Sequence, residues 1–356
     1  MRAPTAESLG AGSRRPLATR DFSWKIFRPA PFPPSFKYFD CRRSAGSPTP
    51  ESTMLATAAR RTACSSAQAA VKAAASAKRP VVWTYLPSQL PYERGLLLQE
   101  SLVQARLSAK AALLDPPADQ DARTSLERVA ETDILLLLQH TPVYTAGRRE
   151  KDATQLEQEG ARLRALGADY VHAMRGGQTT YHGPGQLVGY SLMDLGAAQL
   201  STRCYVDHLE RFLENFAKSL GVPVYPLEHT GVFTSPTTKI GSIGIHIRRR
   251  ISLHGFSLNV EEQTKAWFDQ IVACGLADVS STNVESELRK LGKGAGKDAL
   301  RVLDTVPKAV ELFGQMYGRQ MQQLQGDDEY LEARKMITDG VEGRLPPLEK
   351  TMAQGV

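Results

Sequence analysis

The chain alternates between segments of strand and helix period. VVWTYLP (81–87) reads as a short strand, and PYERGLLLQESLVQARLSAKAALL (91–114) as a long helix with Leu96, Leu97, Leu98, Leu102, Val103 and Leu107 near helical spacing. DPPADQDARTS (115–125) is a polar, proline-bearing surface loop, and DILLLLQH (133–140) is an unbroken apolar run suited to a buried central strand. TPVYTAGRR (141–149) leaves the sheet as a loop. DYVHAMR (169–175) and QLVGYSLMDL (186–195) are two further strands flanking a glycine-rich segment. VDHLERFLENFAKSLGV (206–222) places Leu209, Phe212, Leu213, Phe216 and Leu220 on one helical face, with Gly221 as its stop. KIGSIGIHIRR (239–249) and ISLHGFSLNV (251–260) form a hairpin, KAWFDQIVA (265–273) a short helix, and VPKAVELFGQMYGRQM (306–321) a closing helix. Interspersed helices with recurrent hairpins predict an α+β domain around a mixed sheet with flanking helices.

Composition divides the chain. Residues 1–80 hold 14 Lys+Arg and 4 Asp+Glu; of the whole-chain totals, 44 and 38, this leaves 30 basic and 34 acidic residues for 81–356. The positive charge belongs to the arm and the body is mildly acidic. No basic stripe interleaved with aromatics follows the arm, so no nucleic-acid partner is expected. No apolar run reaches the roughly 18 residues of a membrane span, so no membrane partner is expected either. Residues 1–80 read as a disordered arm. Within it, Met54 to Pro80 carries five basic residues, no acidic one and much Ala and Ser. That is the composition of a mitochondrial presequence, with Met54 as an alternative start, or else of an ordinary disordered Ala-rich tail; mitochondrial localisation is the expectation. The catalytic body is expected over 81–325 and a mobile tail over 326–356.

The chemistry-bearing residues fall in four places. The first is Arg175, Gly176, Gly177, Gln178, Thr179, Thr180, Tyr181 and His182, followed by Gly-Pro-Gly-Gln. Its glycines let a ligand approach the backbone, though they would equally serve a tight strand connection. Neither a GK[ST] loop nor GxGxxG occurs, so phosphate cradling has no support. The second is Lys239 to Gly244. Lys239 at a strand start is ordinarily a surface residue, but a partly buried one can exchange protons near neutrality. The third is Cys274-Gly275. The four cysteines, 41, 64, 204 and 274, contain no CxxC pair, so neither a metal site nor a disulfide framework is expected. A lone cysteine such as Cys274 is either a small buried residue or a nucleophile whose thiolate a neighbour stabilises, and Cys204 is its rival. The fourth is His254 on the second hairpin strand, either a base or a core histidine.

In this order, RGGQTTYHGPGQLVGYSLMDL, TTKIGSIGIHIRRRISLHGFSLNV and the CG pair resemble the lipoyl(octanoyl) transferase family of lipoate biosynthesis. The similarity spans about 83–290 and includes LLLLQHTPVYTAGRR. It implies a fold related to the biotin and lipoate protein ligase catalytic domain. It also implies ping-pong transfer of an octanoyl group from octanoyl-acyl carrier protein to a lysine of lipoyl domains, as in 2-oxoacid dehydrogenase or glycine cleavage proteins. By resemblance, Cys274 is the acyl acceptor and Lys239 its partner. Arg175 to His182, Ser242, Ile243, Gly244, Gly255, Phe256 and Ser257 line the substrate, with His254 in possible support. No cofactor or metal is implied, since thioester exchange is nearly isoenergetic and amide formation is downhill. Ala273 stands where many relatives have proline. Arg148, Arg149 and Arg248 to Arg250 are candidates for docking an acidic carrier. Two other classes stand beside this reading. An ATP-dependent ligase would need no cysteine nucleophile, and a non-catalytic binder would not need the Lys239/Cys274 pair.

Overall fold

The apolar runs assemble into one mixed sheet covered on both faces. The computed structural model describes residues 79–272, 278–293, 299–326 and 328–347. The arm up to residue 78, with its presequence-like segment, lies outside them. In chain order the elements begin with β1 (Val81–Tyr85), α1 (Tyr92–Ala112), α2 (Gln120–Glu131), β2 (Asp133–Leu138) and β3 (Val143–Ala146). There follow α3 (Ala153–Ala165), β4 (Asp169–His172), β5 (Thr180–His182), β6 (Gln186–Leu192), α4 (Thr202–Ser219) and β7 (Val232–Ser235). The rest are β8 (Thr238–Arg248), β9 (Ile251–Asn259), α5 (Thr264–Phe268), β10 (Ser280–Ser281), α6 (Val284–Lys290), α7 (Val302–Tyr317), β11 (Met321–Gln323) and α8 (Leu331–Glu342).

The main sheet runs β10-β8-β9-β6-β2-β1-β11, with β7 also on β8; a second sheet runs β4-β3-β5. Pairing is parallel for β11-β1-β2 and for β8-β10, and antiparallel from β2 through β6 and β9 to β8. The domain is therefore α+β with a mixed sheet, as the sequence predicts. Strand β2 is buried along its whole length. Leu135 and Leu137 join Leu209, Phe212 and Phe216 of α4 and Phe313 of α7. Ile134, Leu136 and Leu138 join Leu98 and Leu102 of α1 and Ile337 of α8. A strand covered on both faces has no polar side, which is why its sequence reads as a continuous apolar run. Each such leucine removed from water contributes roughly 1.5–3 kcal/mol.

Local signals set the helix ends. Ser201 accepts from the Cys204 amide at the start of α4, and Gly221 follows its end at φ +86°. Four sequence expectations are corrected. The proline-bearing loop of 115–125 gives way at Gln120 to α2, because Asp119 caps it by accepting from the Ala122 amide at 2.9 Å. Residues 143–146 of the predicted exit loop form β3, whose four residues are all buried. The predicted strand at 169–175 stops at His172, and the chain then turns into the glycine-rich loop. Residues 331–342, within the predicted mobile tail, form α8, which buries Ile337 against the otherwise open face of α1. Among the described residues no helix is long and apolar enough to cross a membrane.

Candidate active site

The three sequence segments separated by up to eighty residues meet around one cavity. Antiparallel pairing sets Ser242 opposite Ser257, Ile243 opposite Phe256 and Gly244 opposite Gly255. These six residues form one wall, and His254 extends it. Arg175, Gly177, Gln178, Thr180 and His182 of the glycine-rich loop also line the cavity, together with Tyr92, Val188 and Tyr190. Two glycines are there for physical reasons. Gly177 has φ +91°, which L side chains rarely adopt. At Gly255 a Cβ would stand 2.2 Å from the Gly189 carbonyl oxygen on the neighbouring strand.

Three of the predicted lining residues lie elsewhere. Thr179 borders a neighbouring cavity shared with Gln178, Ile271 and Val272. Tyr181 turns into a buried aromatic cluster, stacked on Trp267 at 5.5 Å and edge-on to Phe268. Gly176 is used by its backbone, whose amide donates to the Ile245 carbonyl at 3.0 Å and straps the glycine-rich loop to β8.

The cavity is built on buried polar groups that are held in place. The Arg175 guanidinium donates from Nε and Nη2 to Thr145 Oγ1 at 3.0 and 2.7 Å, and from Nη1 to the Gly176 carbonyl at 3.0 Å. Gln186 donates from Nε2 to Asn259 Oδ1 at 2.8 Å and to the Tyr181 carbonyl at 3.2 Å. Its Oε1 therefore accepts from His182 Nδ1 at 2.7 Å, leaving Nε2 as the acceptor nitrogen of that ring. Asn259 in turn donates to Ser281 Oγ and the Thr282 carbonyl, both at 2.9 Å. His140 donates from Nδ1 to the Leu90 carbonyl at 2.7 Å and accepts from the Tyr190 hydroxyl at 2.5 Å.

Burial keeps the imidazoles neutral. It lowers His182 to about 3, helped by neighbouring His140 and Arg175 and opposed by the Gln186 hydrogen bond. It likewise lowers His254 to about 3, with Arg175, His246 and His140 adding to the effect. His140 falls to about 4 by burial, opposed by its bond to Leu90. Burial pushes the Tyr92 hydroxyl up to about 12 against the pull of Arg175. The cavity thus combines a buried guanidinium with neutral rings and apolar side chains.

Lys239 sits beside this cavity rather than in its wall. Its side chain is buried, its ammonium donates to the Thr230 carbonyl at 3.0 Å, and it lies 5.3 Å from the centre of the Phe233 ring. The surface-lysine alternative is thereby corrected, because the strand start lies under the 230–233 segment. Cys274 falls outside the described residues. Both flanks of its segment are described. Val272 borders the cavity that adjoins Gln178 and Thr179, and Ser281 pairs with Lys239, whose carbonyl accepts from the Thr282 amide at 2.9 Å. Cys204 is half-buried in the first turn of α4 and is disulfide-bonded.

Four residues of this region were not singled out from sequence: Tyr92, His140, Tyr190 and Gln99, whose Oε1 accepts from the His254 amide at 2.7 Å. Each stands in an apolar periodic segment, where the pattern reads it as core. The signal available was a polar or aromatic residue breaking an otherwise aliphatic face. The proposed docking arginines also separate. Arg248 pairs with Glu100 at 2.6 Å, and Arg250 donates to the Leu195 and Leu200 carbonyls. Arg148 and Arg149 are exposed, and their amides donate to the carbonyls of Arg175 and Gly177 at the cavity.

Comparison with known proteins gives the family. Residues 119–300 match the family described as the lipoyl protein ligase A/B catalytic domain. The chain is 38% identical over 183 residues to the mitochondrial octanoyl-acyl-carrier-protein:protein N-octanoyltransferase of Danio rerio, covering 51% of this chain and 76% of the relative. It is 33% identical over 263 residues to an octanoyltransferase of Acidobacterium capsulatum, covering 70% and 96%. Among solved structures, lipoate-protein ligase A bound with ATP aligns at a TM-score of 0.45 and 12% identity, covering 75% of this chain and all of the other. The family match spans half of the chain and the relatives are covered over most of their length. The chain belongs to the octanoyltransferases of the lipoyl protein ligase A/B catalytic-domain family and is an acyltransferase.

Proposed function

We propose that the protein moves an octanoyl or lipoyl group from acyl carrier protein to a lysine of a lipoyl domain through a thioester on Cys274. The observation that carries this reading is the meeting of the glycine-rich loop, β8 and β9 around one cavity; of the residues flanking the Cys274 segment, Val272 lines the neighbouring cavity that shares Gln178, and Ser281 pairs with Lys239. In the first step the Cys274 thiolate attacks the carbonyl carbon of the incoming thioester. The carrier thiolate leaves and takes up the proton that Cys274 gave to Lys239. In the second step the acceptor lysine amine attacks the enzyme thioester, an amide forms, and the Cys274 thiolate is released. The proton lost by the amine passes to Lys239. A cation beside the sulfur favours the thiolate, and backbone amides at the cavity rim would stabilise the oxyanion in both steps. The chemistry needs no nucleotide, because the thioester supplies the free energy of the amide.

Two further elements of the reading come from likeness and charge. The vertebrate relative is named mitochondrial, and Met54 to Pro80 has presequence composition, so the protein is assigned to mitochondria. The acceptors are lipoyl domains of 2-oxoacid dehydrogenase or glycine cleavage proteins. A fusion of residues 1–80 to a fluorescent protein is expected to enter mitochondria; a cytosolic signal would remove that assignment.

The deciding experiment is intact mass spectrometry after mixing with octanoyl-acyl carrier protein, using wild type, Cys274→Ser and Cys204→Ser. A hydroxylamine-labile octanoyl adduct is expected on wild type and Cys204→Ser and not on Cys274→Ser. An adduct retained in Cys274→Ser would move the nucleophile elsewhere. Incorporation of free octanoate only in the presence of ATP would replace the transferase reading by a ligase.

A further inference from the structure

His254 breaks the geometry of its own strand. It lies in the middle of β9, yet its φ is +60°, a left-handed value for a residue with a ring on its Cβ. Strand alternation assigns Phe256 and Leu258 to the α4 face of the sheet, and Ile251 and Leu253 to the α1 face. By that parity the His254 ring belongs with Phe256, toward α4. It instead meets the α1-side residue Tyr190 edge-on at 6.2 Å and lines the cavity. The ladder opens at the same point. Pairing of β6 with β9 stops at Tyr190–Gly255, where the next pair would be Ser191 with His254. The Ser191 carbonyl accepts from the hydroxyls of Ser252 at 2.6 Å and Tyr205 at 3.1 Å. The His254 amide donates out of the sheet, to Gln99 Oε1 on α1 at 2.7 Å. Gln99 is fully buried, and its Nε2 donates to the Gly95 carbonyl one turn earlier at 3.2 Å, which fixes which of its ends faces His254.

We infer that Gln99 is a positioning residue: its side-chain carbonyl holds the His254 amide out of the sheet and thereby keeps the His254 ring in the acyl-transfer cavity. Backbone strain of this kind persists only where surrounding contacts over-determine it. Here the contact is a single acceptor delivered by a helix. Without it the buried His254 amide loses its acceptor, since the Ser191 carbonyl already takes two hydroxyls, and the strand must rearrange to satisfy it, which releases the ring from the cavity. The inference rests on the acyl-transfer reading for its catalytic consequence, and on the hydrogen bond alone for its structural one.

The test compares wild type, Gln99→Met and Gln99→Glu in the full chain. Methionine keeps the length and removes the acceptor. A glutamate that burial holds neutral offers the same acceptor and donor as glutamine at about pH 6. Two quantities are read: the His254 amide resonance in histidine-labelled protein, and the single-turnover rate of octanoyl loading. In Gln99→Met the amide is expected to lose the shift of its hydrogen bond, and loading to slow about tenfold or more, in line with the cost of displaced site groups. Gln99→Glu at about pH 6 is expected to restore both. An unchanged His254 resonance in Gln99→Met would overturn the inference, as would a slowed Gln99→Glu whose resonance is native. If Gln99→Met does not fold, the Gln99→Glu pair of readings decides alone. Should wild type fail to load at all, the acyl-transfer reading falls, while the resonance still reports whether Gln99 holds His254.

Discussion

His140, His182 and His254 share one property that reaches beyond the cavity: each is buried as a neutral ring, at about 4, 3 and 3. In the unfolded chain each takes up a proton near the ordinary histidine value of about 6.5. A depressed folded value means that the unfolded state binds more protons at any pH between the two. The stabilisation is therefore complete above about pH 6.5 and is lost as pH falls toward 4, by up to roughly 1.4 kcal/mol per unit for each ring. Urea midpoints at pH 7.5 and about 5 should differ steeply, and His182→Asn should flatten that slope. A midpoint insensitive to pH across this range would mean that the rings are solvated. These same residues show what a sequence can disclose. Arg175, His182, Lys239 and His254 stood out because glycines or a strand start isolated them. His140, at the end of a leucine run, and Tyr190 and Gln99, inside apolar segments, look like core. Their roles arise only when β6, β9 and α1 are brought together.

At the scale of elements, apolar periodicity located the long helices, the hairpin and β2, because burial of a continuous face is what it records. It failed where an element is short or polar. Helix α2 buries only Ala130 among its twelve residues, so it has almost no apolar face to read; its Asp119 cap was the available sign. Helix α8 was obscured by charge, since Glu332, Arg334, Lys335 and Asp339 surround the few residues it buries. Its place in the molecule is testable. Ile337 lies in the same cluster as Leu98, Leu102 and Ile134, so Ile337→Ala is expected to cost about 2–5 kcal/mol in chemical denaturation. A loss near zero would return the segment to the mobile tail that its composition suggests. The second fixed point on that side is Asp133, which accepts from Arg106 and Arg319 at 2.9 Å each and ties β2 to α1 and to the turn before β11.

For the whole molecule, charge is distributed rather than uniform. The body carries 30 basic and 34 acidic residues, so an acidic carrier cannot be drawn to it by net charge. Any attraction has to be local and close to the cavity mouth. Of the five arginines that the sequence offers for this, Arg248 is committed to Glu100, Arg250 to two backbone carbonyls, and Arg249 stands in the turn between β8 and β9 and does not line the cavity. Arg148 and Arg149 meet both requirements, since their side chains are exposed and their amides are bonded to the carbonyls of the loop that forms the cavity wall. Reversal of both, Arg148→Glu with Arg149→Glu, leaves those backbone bonds in place and inverts only the field. Loading from octanoyl-acyl carrier protein is expected to fall about tenfold at low salt through KM, with kcat nearly constant. Added salt should slow the wild type and speed the double variant, because screening removes an attraction in the one and a repulsion in the other. If wild type and variant respond to salt alike, the carrier approaches by another face. The two arginines then serve only to shape the loop through their backbone.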